Sequence, residues 1–249
     1  QVAVGPDRRA GREAWSGSAL SDLDLSRDGA VSGPPAQAYV RVMRGCDKFC
    51  AYCVVPYVRG PEVSRDPGDV EAEVRRLVDA GVTQVTLLGQ TVNSYRHTTG
   101  RRETRLADLL ARLDAVEGLK RLRFVTSYPV PFDQPILEAM RDLPSVCEYL
   151  HVPAQSGSDC VLKAMRRRYS RSEYDELIDR VRETVPGVAV AGDFIVGYPG
   201  ETEADHAASA DLIRRSGYKN SYVFKYSPRP GTRAAEAGAD DVPDKDKRR

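Results

Sequence analysis

The sequence predicts an α/β fold, a partial (βα)6 TIM-like barrel, on three grounds. Short β-branched and aromatic runs alternate with stretches whose apolar residues recur at helical spacing. Six such units follow one another, which argues for parallel βαβ connections of one hand. The stretches rich in Cys, Asn, Gln, Gly and Pro fall where strands end, the side on which such barrels carry their sites. Six units, two short of a closed barrel, imply an open crescent whose mouth a large substrate or another domain can cover.

Residues 1–36 are rich in Gly, Ser, Ala, Arg and Asp and end in Gly33-Pro34-Pro35, so they are expected to be a linker or the remnant of a preceding domain. Strand one is Tyr39-Val-Arg-Val-Met43, which delivers a Cys-rich loop. Asp66-Pro67 opens a helix with Val70, Val74, Leu77 and Val78 on one face, ended by Gly81. Strand two is Gln84 to Leu88, followed by a loop to Tyr95 and a polar, basic insert through Arg105. Leu106, Leu109, Leu110, Leu113 and Val116 form the next helical stripe.

Strand three, Arg121 to Ser127, leads to Tyr128-Pro-Val-Pro131 and a short helix around Ile136 to Arg141. Strand four, Glu148 to Val152, is followed by a donor-rich loop, a helix near Val161 to Arg167, and a second helix opened by Ser172. Strand five is Val188 to Val196, its helix runs from Glu203 to Arg215, and strand six is Tyr222 to Tyr226. The polar segment after Thr232 is expected to fray.

Composition excludes little by itself. Lys plus Arg (37) and Asp plus Glu (36) nearly cancel, so net charge offers no argument for nucleic acid. Five Cys, three of them grouped, with no signal peptide or long apolar run, point to a reducing, cytoplasmic setting and no membrane. A chain that begins with Gln is expected to be a fragment.

The chemistry centres on Cys46, Cys50 and Cys53, arranged as Cys-x3-Cys-x2-Cys in one loop. Three thiolates on a cubane iron–sulfur cluster leave one iron open to a non-protein ligand. Two other readings stand beside it. A structural zinc would need a fourth ligand, and His97, His151 and His206 all lie far along the chain. Cys50 and Cys53 alone also form a Cys-x-x-Cys redox spacing.

The Cys spacing, with Tyr52 before the last Cys, resembles the radical S-adenosylmethionine (SAM) enzymes. Four longer stretches sharpen the likeness: Gly45 to Gly60, Leu87 to Tyr95, Leu150 to Ser158 and Phe194 to Thr202, with Ser227 to Thr232 in support. Together they resemble the methylthiotransferases, most of all the MiaB-type branch that modifies tRNA. The threonylcarbamoyladenosine branch and the ribosomal-protein branch are the near alternatives. The resemblance spans roughly residues 38 to 235. It implies a barrel of the radical SAM type over 37–235 and a charged tail, 236–249, leading to a further domain.

The resemblance also implies cofactors and roles. Cys46, Cys50 and Cys53 would hold a [4Fe–4S] cluster whose open iron chelates the amino and carboxylate groups of SAM. An electron from the cluster then yields a 5′-deoxyadenosyl radical. The product would be a methylthio group at C2 of an isopentenylated adenosine beside the anticodon of a tRNA. An electron donor such as flavodoxin or ferredoxin is implied, and so is a second [4Fe–4S] cluster in a preceding domain. No Cys precedes Cys46, so this chain alone is expected to stop at SAM cleavage. A non-catalytic iron–sulfur or tRNA-binding module is the alternative from another class.

Tyr52 is expected beside the adenine of SAM, its alternative being a core aromatic. Gln90, Asn93, Ser127 and Gln155 are expected to face the mouth and hold SAM or the target base, with ordinary loop capping as the alternative for each. Gly197 and Gly200 suit close backbone approach to a ligand, or merely a turn. Arg59 and Arg65, beside the Cys loop, are candidate RNA contacts. Lys163 with Arg166, Arg167 and Arg168 forms a basic helix end that reads as phosphate-binding or as a solvated face.

Overall fold

A computed structural model describes residues 36–237 and 240–248, so the segment read as linker lies, apart from Ala36, outside the described residues. The first parallel sheet holds β1 (Gln37–Arg41), β4 (Gln84–Leu88) and β7 (Arg121–Phe124) in that order. The second holds β8 (Tyr149–His151), β9 (Ala189–Val196) and β10 (Asn220–Lys225). The seam is bridged by a parallel contact between Leu122 and Val146 and by the Ser127 amide donating to His151 O at 3.1 Å. Six parallel strands in chain order therefore form one curved row, the (βα)6 arrangement expected.

The helices follow from caps and apolar stripes. After the short α1 (Val55–Val58), α2 (Pro67–Asp79) opens on Asp66, whose carboxylate accepts from the Gly68 amide at 2.7 Å, and it buries Val70 and Val74. In α3 (Leu106–Asp114), Leu106, Leu109, Leu110 and Leu113 are buried, and α4 (Gln134–Asp142) buries Ile136, Leu137 and Met140. The two clusters of buried side chains have different jobs. The larger joins strands to helices, and the smaller joins Ala51, Val161, Met165, Tyr198, Tyr226 and Ala234 beneath the Cys loop.

Several boundaries differ from the sequence reading, each for a local reason. Strand one breaks at Val42: β1 stays with β4, while β2 (Met43–Arg44) turns aside to pair antiparallel with β3 (Val63–Ser64). This two-stranded bracket closes the neck of the Cys loop. The basic insert is a hairpin, β5 (Arg96–Thr99) with β6 (Arg102–Arg105). The helix expected to reach Arg167 is α5 (Asp159–Ala164), because Arg166 takes φ 57° and cannot continue it.

The next helix, α6 (Arg171–Thr184), starts from Ser170 and not from Ser172. Ser170 Oγ and the Glu173 carboxylate cap each other's amides, whereas Ser172 bonds Glu176. A second capping box, Thr202 with Asp205, opens α7 (Glu203–Ser216). Beyond α8 (Arg233–Ala237), residues 240–248 pack back on the barrel, with the Lys247 stem buried against Gly197 and its ammonium paired with Asp240.

Gly157 shows how tightly the mouth is built. A Cβ there would lie 2.3 Å from Ala208 O and 2.7 Å from Ser209 Cα, both backbone atoms of α7. Gly157→Ala is expected to cost about 1–3 kcal/mol, the usual cost of overpacking, while Gly100→Ala, in open space at φ 61°, should cost only the about 1–2 kcal/mol of a left-handed alanine. Urea denaturation of the two variants checks this.

Tyr174 donates to Val152 O at 2.7 Å and accepts from Tyr218, and burial raises the Tyr218 hydroxyl to about 12. Its folded-state value lies above the roughly 10 of an unfolded tyrosine. The neutral phenol's contribution is therefore full below about pH 10 and is lost as pH rises towards 12. Circular dichroism across an alkaline titration should show stability falling in that window, with Tyr218→Phe shrinking the fall.

Candidate active site

The Cys loop is fixed at its neck and its base. Gly45 takes φ 75°, and a Cβ there would sit 1.8 Å from Pro61 O, so only glycine fits. The Cys46 amide donates to Gly60 O at 3.1 Å, and the Cys53 amide donates to Cys50 O at 3.1 Å. Phe49, in a left-handed conformation (φ 51°), turns the chain between the first two cysteines. At the base, Ala51 donates to Met165 O at 2.8 Å and accepts from the Ala234 amide at 2.9 Å.

All three thiols are half-buried, and Cys46 and Cys53 both feel the charge of Cys50. Burial pushes the Cys46 thiol up, against hydrogen bonds from Thr91 and the Lys48 amide, and it pushes Cys53 up against the Val55 amide. Thiols raised in this way are protonated near neutral pH, and a metal would displace those protons on binding. Among the described residues no three His, Cys, Asp or Glu side chains converge on the single point that one zinc ion requires.

Beside the loop lies a group that sequence reasoning missed. The Arg167 guanidinium, placed at a basic helix end from sequence, turns inward. It sits 4.6 Å from the Tyr128 ring centroid and 5.0 Å from that of Tyr169. Its nitrogens donate to Tyr169 Oη at 2.8 Å, to Pro153 O at 2.9 Å and to Cys50 Sγ at 3.5 Å. No carboxylate pairs with it among these contacts. Tyr52 lies next to it, its hydroxyl pushed well up by burial and held down in part by the Arg167 charge.

The remaining predicted residues divide. Gln90 and Ser127, just past the ends of β4 and β7, each carry a buried side-chain oxygen, Oε1 and Oγ, that makes no hydrogen bond. Asn93 is fully engaged by the backbone of Tyr128, donating to its carbonyl at 2.8 Å and accepting from its amide at 2.7 Å, which is loop fastening. Gln155 takes φ 72° and bridges its backbone to β9 through Asp193 and Ile195. Tyr52 also packs on the smaller apolar cluster, so it serves as a core aromatic too.

Gly197 and Gly200 both have positive φ, but their near neighbours belong to the chain. The Gly197 amide is held by the Glu201 carboxylate with Lys247 packed over it, and the Gly200 amide donates to Asp241 at 2.9 Å. Arg59 is exposed at the end of α1. Arg65 is drawn away from the mouth, bonded to Glu73 at 2.7 Å and to Arg41 O at 2.7 Å. A His151–Asp193 pair, missed from sequence, spans β8 and β9 at 3.1 Å. His151 Nδ1 accepts from the Thr126 amide, so Nε2 carries the hydrogen towards Asp193.

The profile of the radical SAM superfamily matches residues 40–213. The chain is 49% identical over 243 residues to the tRNA-2-methylthio-N(6)-dimethylallyladenosine synthase of Rhodopirellula baltica, covering 98% of this chain and 51% of that protein. It is 45% identical over 229 residues to the protein of the same name from Anaplasma marginale, covering 92% of this chain and 50% of that one. The chain thus spans about half the length of the curated relatives it matches. Among solved structures, the radical S-adenosylmethionine methyltransferase TsrM of Kitasatospora setae superposes with a TM-score of 0.67 at 19% identity, over 80% of this chain and 38% of that one. Coproporphyrinogen III oxidase (HemN) from Escherichia coli gives 0.61 at 17%, over 93% and 52%. At these identities the structures attest the fold, and with the profile match they leave one assignment: the chain belongs to the radical SAM superfamily.

Proposed function

We propose that this chain is the catalytic barrel of a radical SAM tRNA methylthiotransferase, acting at C2 of an isopentenylated adenosine beside the anticodon. The observation that carries the radical SAM part is the fixed three-cysteine loop with a buried, carboxylate-free guanidinium beside it. The names of relatives with 45–49% identity support the tRNA part.

The residues fit the two cofactors this reading needs. In a cubane each cysteine binds a separate iron, so three thiols need not converge on one ion, and the fourth iron stays open. When bound, a reduced [4Fe–4S] cluster supplies the electron that cleaves the sulfonium of SAM. Cys46, Cys50 and Cys53 hold that cluster, and Thr91, 3.5 Å from Cys46 Sγ, steadies the first ligand.

Arg167 receives the carboxylate of SAM as a fixed fork, already desolvated and positioned by two aromatic rings. The unpartnered oxygens of Gln90 and Ser127 accept from its amino or ribose groups. Tyr52 closes the adenine side, while Asn93, Gln155, Gly197 and Gly200 shape the loops that exclude water. Arg59 is left for RNA; Arg65 is tied to Glu73.

The catalytic unit is assigned to 37–235 in a cytoplasmic enzyme; among the described residues no helix is long and apolar enough to cross a membrane. Methylthiolation also calls for a second [4Fe–4S] cluster, and beyond the loop these 249 residues hold only Cys147 and Cys160. The chain alone therefore stops at SAM cleavage, given a donor such as flavodoxin or ferredoxin.

Electron paramagnetic resonance on anaerobically reconstituted, dithionite-reduced protein tests the reading. A cubane signal that shifts with SAM, vanishes in Cys46→Ala and is accompanied by 5′-deoxyadenosine is expected; a colourless protein with one zinc would overturn it. Arg167→Gln should keep the cluster but weaken SAM binding by about 10- to 100-fold, the usual worth of a charge-assisted hydrogen bond. Ser127→Ala should weaken SAM binding too, yet raise the urea stability of ligand-free protein by about 1 kcal/mol, because it removes an unsatisfied buried hydroxyl.

A further inference from the structure

Lys163, Arg166 and Arg168, read from sequence as one helix-end cluster with Arg167, differ from it in exposure and bonding. Arg167 points inward. The other three, with part of Arg167, line a cleft of about 490 Å3 together with Lys48, Phe49, Tyr169 and Ser170. All three are exposed, and no side-chain hydrogen bond or ion pair engages them among the described residues. Two acidic residues also line the cleft, but both are engaged. Asp159 accepts from the Arg171 amide at 2.6 Å, and Glu173 caps α6 through Ser170.

The cleft is joined to the site through its walls. Lys48 and Phe49 lie between Cys46 and Cys50, and Met165, next to Arg166, anchors the loop through Ala51. Arg166 is held at φ 57°, which ends α5 just past Lys163 and takes Arg166 and Arg168 out of the helical path. Phe49, which meets Tyr57 edge-on at 5.9 Å, adds aromatic surface to the cleft lining. Several cations unpaired among the described residues and an aromatic ring, lining one cleft, match a nucleotide strand, whose phosphates recur and whose bases stack.

We infer that this cleft binds the phosphodiester backbone of the RNA substrate next to the target nucleotide, through Lys163, Arg166 and Arg168. This rests on the tRNA reading above and deepens it by saying where the strand crosses the rim. The cations act on phosphate, so they set affinity and register and carry no base preference of their own.

The test is fluorescence anisotropy of a labelled anticodon stem-loop RNA with the 249-residue chain and its triple variant Lys163→Gln, Arg166→Gln, Arg168→Gln, over a salt series. The expected result is a fall in affinity of about tenfold or more near 0.1 M salt. The slope of log K against log salt should become shallower by about 0.7 for each phosphate that the variant no longer neutralises. Cluster content and 5′-deoxyadenosine formation from SAM should be unchanged. If the wild-type chain binds RNA and the variant binds it equally with the same slope, the cleft is not the RNA site and the tRNA reading survives. If the wild-type chain binds no RNA, both fall, while SAM cleavage still reports on the cluster. If RNA binding is unmoved but reduction of the cluster by flavodoxin slows, the cleft docks the donor and the inference is overturned.

Discussion

A buried guanidinium without a carboxylate is the constraint around which the mouth of this barrel is arranged. Desolvating a charge is costly unless its donors are satisfied and its field is met by something polarisable. Arg167 meets both conditions through Tyr128, Tyr169, Pro153 O and Cys50. Those partners come from separate stretches of the chain. Tyr128 follows β7, Pro153 follows β8 and Cys50 belongs to the loop after β2. The one side chain thus fastens strand ends from both sheets to the cysteine loop, and it fixes where positive charge sits relative to the three thiols.

Most of the fold was legible because it rests on periodicity. The six parallel strands, and helices such as Leu106–Asp114, announce themselves by patterns that survive burial in any context. The ends of elements were less legible because they depend on which of two similar residues is caught. Ser170 and Ser172 are both good caps, but only Ser170 stands three residues before a Glu that reaches back to it. Strand one read through Val42 because alternation continues to Met43; pairing with β3, which no periodicity reveals, turns β2 aside.

The site divides along the same line. Local spacing exposed the cysteines, and nothing local distinguished Arg167 from Arg166 and Arg168 in a run of three like residues. What separates them is the left-handed turn at Arg166, after which Arg167 reaches Cys50, 117 positions away. Asn93 and Arg65 show the converse, Asn93 taking the loop-capping alternative. A polar residue after a strand reads as ligand-facing, but Asn93 satisfies both ends of its amide on Tyr128, and Arg65 finds Glu73 about two turns into α2.

The six strands stop short of closure, and among the described residues β1 and β10 each pair on one side only. A closed barrel is a hoop: widening it means breaking inter-strand hydrogen bonds. Here no ladder joins the two free edges, and the gap between them is spanned by the Ala234 amide, beyond β10, donating to Ala51 of the cysteine loop. Tyr39 on β1 and Tyr222 and Phe224 on β10 stand half-exposed on these edges. A guest that wedged these edges apart would therefore pull on the same Ala51 that supports the base of the cysteine loop, so the mouth and the cysteine loop are mechanically one unit.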